Sequence, residues 1–90
     1  KEKIKLDEPG LYDVLFLNDN ITTMEFVVKV LKQIYGKTPE QAQNITTKIH
    51  QDGQGIVGSY VHEVAEQKGI ETTLAARQEN FPLQVKVKKQ

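Results

Sequence analysis

Ninety residues make one small domain, because a second hydrophobic core would not fit in that length. Twelve basic residues balance twelve acidic ones, and zero net charge removes the electrostatic footprint of a nucleic-acid binder. The absence of cysteine excludes disulfides, thiol catalysis and cysteine metal sites, while 38% apolar and 27% charged residues are ordinary for a globular fold.

Lys1 to Gly10 (KEKIKLDEPG) is polar and ends in Pro9-Gly10, which predicts a flexible lead-in with no signal-peptide pattern. The core domain then spans residues 11–90. Leu11 to Leu17 (LYDVLFL) is a short apolar run bounded by turn residues, as in a buried strand. Asn18, Asp19 and Asn20 follow. Thr22 stands three residues before Glu25, the spacing of a capping box, so Thr22 is the expected N-cap of a helix reaching about Tyr35. Its apolar residues Met24, Val27, Val28 and Leu31 keep helical spacing, and Gly36 ends it. Thr38, Pro39 and Gln41 mark a second helix start. That helix should end near His50, ahead of the glycine-bearing turn QDGQG. Ile56 to Tyr60 is expected to be a strand and His62 to Glu79 a helix weakened by Gly69. Phe81-Pro82 ends it, and Leu83, Val85 and Val87 alternate with polar residues in a last strand. The order β-α-α-β-α-β predicts an α+β domain with one small sheet. No apolar run approaches the ~18 residues needed to cross a membrane.

Few residues suit catalysis. Ser59 is the sole serine and lacks a GxSxG elbow. His50 and His62, with Asp19, would make a two-histidine metal site, but their spacing matches no zinc pattern. Paired carboxylates for acid–base work are not evident. A binding site fits better. Asn18, Asp19 and Asn20 offer acceptor oxygens and a negative charge, which suit a cationic ligand such as an ammonium. Met24 and Val27 add apolar surface one turn away, and Thr46, Ile49 and His50 share a face of the second helix. The same residues are also ordinary turn chemistry, core positions and a histidine favoured at a helix C-terminus. Taken alone, they describe a small non-enzymatic α+β domain with a candidate cation site beside an apolar pocket.

Four segments in register carry more. NDNITTMEFV, IHQDG, EVAEQK and FPL, in this order and spacing, resemble the ClpS family of adaptor proteins from about Leu11 to Val87. The resemblance implies a small antiparallel three-stranded sheet packed against three helices, an architecture similar to a ribosomal stalk domain. It implies an adaptor that performs no chemistry and needs no cofactor or metal. Such adaptors bind the free α-amino group and the bulky first side chain (Leu, Phe, Tyr or Trp) of N-degron substrates. They deliver them to the N-terminal domain of a Clp unfoldase, ClpA or ClpC, for degradation by ClpP. A monomer in the bacterial cytoplasm, or alternatively the plastid stroma, is implied, with no nucleic acid and no membrane as partner.

Position by position, Asn18, Asp19 and His50 match the family's α-ammonium ligands. Thr22 matches a threonine at the pocket mouth, and Met24 a gatekeeper against β-branched side chains. Val27 and Ile49 match pocket walls, and Leu83 a leucine closing the pocket from the last strand. Glu63 and Lys68 match charged residues of the unfoldase-docking face. Two positions depart from the pattern. Asn20 replaces a frequent Asp, which removes one negative charge. Thr46 replaces a frequent Met, and its shorter, partly polar side chain re-shapes the pocket. The family's N-terminal extension helps in delivery, and the lead-in here is short. Because the same fold serves in eukaryotic ubiquitin ligases, the alternative is a domain that binds a partner without reading N-termini. A small metal enzyme using His50 and His62 is a third class.

Overall fold

The computed structural model describes residues 10–90; the lead-in expected over residues 1–10 lies outside them except for Gly10. The elements are β1 (Leu11–Leu17), α1 (Met24–Gln33), α2 (Pro39–Asp52), β2 (Gln54–Val61), α3 (His62–Gln78) and β3 (Gln84–Lys89). Their order is the one the sequence predicts. β1 is the central strand, with β2 and β3 antiparallel on either side.

β1 runs in the centre of the sheet and is continuously apolar from Val14 to Leu17, while Asp13 nearer its start accepts hydrogen bonds from the Ser59 hydroxyl and the Gln90 amide. Val14 and Phe16 are fully buried in the core shared with the helices. Leu15, on the opposite pleat, is also buried, flanked by its cross-strand partners Ile56 and Lys86. Val14 pairs with Gly58 and Leu15 with Ile56, so Val57 is an extra residue in β2. This bulge sends its side chain into the core, where it is 1% exposed.

The second helix start is as expected: Thr38 and Gln41 form a reciprocal capping box, with Pro39 in the first turn. The first is displaced by one residue. Thr23 is the N-cap of α1, its hydroxyl accepting from the Phe26 N–H at 3.1 Å. Thr22 is held back by Asp19, whose carboxylate accepts both the Thr22 N–H and its hydroxyl. The capping box with Glu25 therefore does not form. α1 ends at Gln33 rather than Tyr35, and α2 continues two residues past His50 to Asp52. Leu83 precedes β3 instead of lying in it.

α3 starts without a side-chain cap at Val61. The helix runs unbroken through Gly69. The glycine is buried where α3 closes on β3, and a Cβ there would meet Val85 and Val87 at 3.5 and 3.8 Å, ordinary contact distances. Tyr35 bridges the helices: its hydroxyl lies 2.9 Å from Thr72 Oγ1, and its ring packs edge-on to Phe16. No described helix is long and apolar enough to cross a membrane.

Candidate functional site

Three segments distant in sequence meet at one end of β1. As the chain leaves β1, the Asn18 N–H donates to the Gly53 carbonyl at 2.9 Å, tying this loop to the turn after α2. Gly53 has φ of +87°, the left-handed conformation that closes α2, and its N–H donates to the Ile49 carbonyl. Gly55 lets β2 pass close to α2, since a Cβ there would sit 2.8 Å from Ile49 Cγ1. The third segment is the α3–β3 connection. The Arg77 guanidinium donates to the Phe81 and Leu83 carbonyls at 2.7 and 3.0 Å, which fixes Leu83 beneath the loop.

The loop is organised by Asp19. Its Oδ1 accepts the N–H groups of Ile21 and Thr22 at 2.8 and 2.6 Å, and its Oδ2 accepts the Thr22 hydroxyl at 2.8 Å. An ionised carboxylate has about four lone-pair sites, so about one remains for an incoming donor. Partial burial pushes the Asp19 carboxyl up. The N–H groups of Thr22 and Ile21, the Thr22 hydroxyl and the Arg77 charge outweigh it, and the net shift is below 3.8. The carboxylate therefore stays charged at neutral pH.

A narrow cavity opens here, lined by Phe16, Leu17, Asn18, Asp19, Thr22, Met24, Val27, Thr46, Ile49, His50 and Leu83. The volume open to the centre of a water-sized sphere is ≈ 20 Å³, room for about one water molecule. Its lining is graded. Asn18 and His50 are exposed, and Asp19 and Thr22 half-buried, so the mouth is polar. Val27, Ile49, Leu83 and Phe16 are buried, so the interior is apolar. Met24 stands between the two and is 47% exposed. Thr46 is the exception inside: the residue is 4% exposed, and its Oγ1 is buried with no hydrogen-bond partner among the described residues.

Every residue expected for the ammonium and side-chain sites thus lines one cavity. Phe16 and Leu17 line it too and were not anticipated. In sequence they are only the end of an apolar strand, indistinguishable from the rest of the core. Asn20 is exposed and does not line the cavity.

Glu63 and Lys68 lie elsewhere, in a shallow depression on α3 with Val64, Gln67 and Glu71. Lys68 is less free than a surface charge. Its ammonium donates to the Ile34 carbonyl at 2.8 Å at the end of α1 and lies over the rings of Tyr35 and Tyr60. His62 is not at the cavity. It packs against Tyr12, ring centroids 4.6 Å apart, with Nε2 3.4 Å from Glu66. Among the described residues no group of three His, Asp or Glu is placed to hold a metal ion.

The arrangement can bind a ligand with a cationic head and an apolar body. Comparison with known proteins adds context. The family described as "ATP-dependent Clp protease adaptor protein ClpS" matches residues 7–86. A Campylobacter jejuni protein named ATP-dependent Clp protease adapter protein ClpS is 43% identical over 89 residues, covering 99% of this chain and 93% of that protein. A Treponema denticola protein of the same name is 46% identical over 85 residues, 94% of this chain and 84% of its own length. The solved structure of Agrobacterium tumefaciens ClpS2 bound to L-phenylalaninamide superposes with a TM-score of 0.89 at 30% identity, covering 92% of this chain and all of that one.

Proposed function

The chain belongs to the ClpS family of Clp protease adaptors, and from that membership we propose that it recognises the first residue of N-degron substrates. It binds their free α-amino group and a Leu, Phe, Tyr or Trp side chain, and presents them to a ClpA- or ClpC-type unfoldase in the bacterial cytoplasm. The observation that carries this reading is the grading of one cavity from a charged, acceptor-rich mouth to a buried apolar interior. L-Phenylalaninamide, the ligand of the Agrobacterium protein, has the two matching halves: an α-amino group and an apolar side chain.

An α-ammonium has three donors and needs acceptors around it. The Asn18 side-chain oxygen, a His50 ring nitrogen and the free lone pair of Asp19 are the acceptors offered by residues at the mouth. Below it, Val27, Ile49 and Leu83 receive the side chain. The cavity at rest holds only about one water, so an entering side chain must widen it. Met24 is the wall suited to move, because its side chain is unbranched, flexible and half-exposed. A ligand branched at Cβ would carry an extra carbon at the level of this gate.

The adaptor itself makes and breaks no bonds. Glu63, on the exposed α3 surface, contacts the unfoldase, and Lys68 shapes that surface while its ammonium stays clasped to the end of α1. Fluorescence anisotropy with labelled peptides beginning with Leu, Phe, Tyr, Trp, Met, Ile or Ala, each with an N-acetylated twin, tests the reading. Bulky termini should bind and acetylation should abolish binding. Equal binding of free and acetylated peptides would instead describe a domain that does not read N-termini.

A further inference from the structure

We propose that Thr46 is a specificity-determining residue whose hydroxyl selects tyrosine over phenylalanine as the first residue; this rests on the N-degron reading above. The interior of the cavity is apolar except at this one position. The Thr46 Oγ1 is buried and has no hydrogen-bond partner among the described residues. Buried polar groups in folded proteins are nearly always paired, and an orphan at a cavity wall calls for a partner from the ligand or from water.

Its depth fits the phenol oxygen. Thr46 and His50 stand i and i+4 on one face of α2, with His50 at the mouth and Thr46 buried one turn further in. A helical turn rises about 5.4 Å, comparable with the reach of an aromatic side chain from its α-carbon. With the amino group held at the mouth, the far end of the ring comes level with Thr46. A threonine hydroxyl and a phenol each donate and accept, so either orientation of the bond works.

The energetic asymmetry follows. Phenylalanine places an apolar edge against the Thr46 hydroxyl and leaves it unpaired, as it is among the described residues of the free protein. Tyrosine brings an oxygen that can pair with it. A site that bonds a ligand hydroxyl rejects the analogue lacking it, whereas a purely apolar site tolerates both poorly distinguished. One neutral hydrogen bond implies roughly threefold to tenfold tighter binding of Tyr than of Phe.

The test is a set of dissociation constants for peptides identical except for Tyr, Phe or Leu at the first position, each free and acetylated. They are measured on the unmodified chain, Thr46→Val and Thr46→Ser. Valine keeps the shape and removes the hydroxyl; serine keeps the hydroxyl. The unmodified chain and Thr46→Ser should prefer Tyr by the stated factor. Thr46→Val should lower that ratio to one or below, with Leu peptides bound at least as well as before. Acetylation-sensitive binding with no preference for Tyr in the unmodified chain, or with the same preference in Thr46→Val, overturns the role of Thr46 and leaves the N-degron reading intact. Indifference to acetylation overturns both. Should Thr46→Val fail to fold, the Tyr-to-Phe ratio of the unmodified chain decides alone.

Discussion

Replacing Asp19 with alanine separates the loop's architecture from its charge. The substitution strips an acceptor from three donors: the Ile21 N–H, the Thr22 N–H and the Thr22 hydroxyl. The first is at the surface and turns to water at little cost. The other two are half-buried, and at about 1 kcal/mol each their loss destabilises the domain by about 2 kcal/mol. For a chain of this size that lowers Tm by roughly 8–16 °C, readable by circular dichroism. The pH dependence carries the sign. The folded pKa of Asp19 lies below its ordinary value of 3.8. Such a group contributes stability above the unfolded pKa, and the contribution is lost as pH falls through the folded value. The gap between native and variant should be full near neutrality and shrink below about pH 4. At a temperature where both are folded, the variant should also bind free-terminus peptides at least about tenfold more weakly, since the ammonium loses its charged neighbour. A Tm within about 2 °C of the native value near neutrality, or a gap undiminished in acid, would refute the assignment of loop order to this carboxylate.

His50→Ala should weaken peptide binding by about tenfold while leaving Tm in place, because the side chain is exposed at the cavity mouth; unchanged affinity in a titration removes His50 from the ammonium site. Met24→Ala should admit Ile and Val termini, and a peptide array showing no broadening would rule out the gate. Glu63→Lys should disturb the unfoldase complex and spare peptide binding; loss of both together would mean that α3 does not form a separate face. Gly69→Ala should raise stability by about 1 kcal/mol, since helix propensity improves and the added methyl meets Val85 and Val87 at ordinary distances; a lower melting point would show that α3 and β3 cannot yield there.

Much of this molecule was legible residue by residue because the relevant forces are local. Thr38, Pro39 and Gln41 interact within one helical turn, and their capping box appears as expected. The apolar spacing along α1 and the alternation at Val85 and Val87 give element type in the same way. Thr22 shows where local inference stops. Its spacing from Glu25 is correct for a cap, yet Asp19 competes for its N–H and hydroxyl and wins with a charged acceptor. Lys68 makes the same point at longer range. Surface charge was the natural expectation, but α3 packs so that the ammonium ends on the Ile34 carbonyl and two tyrosine rings.

By itself the sequence determined the order of elements, their approximate limits and, through segments resembling a family, the set of residues to examine at a site. Only the tertiary structure decided that the β1–α1 loop, the last turns of α2 and Leu83 enclose one cavity. It also decided that Phe16 and Leu17 line the cavity, and that Thr46 lies inside it with an unpaired hydroxyl. The reason is range. Helix caps and hydrophobic periodicity act within about four residues. The cavity depends on contacts that periodicity does not encode: Asn18 to the Gly53 carbonyl, Gly55 against Ile49, and Arg77 on the Leu83 carbonyl.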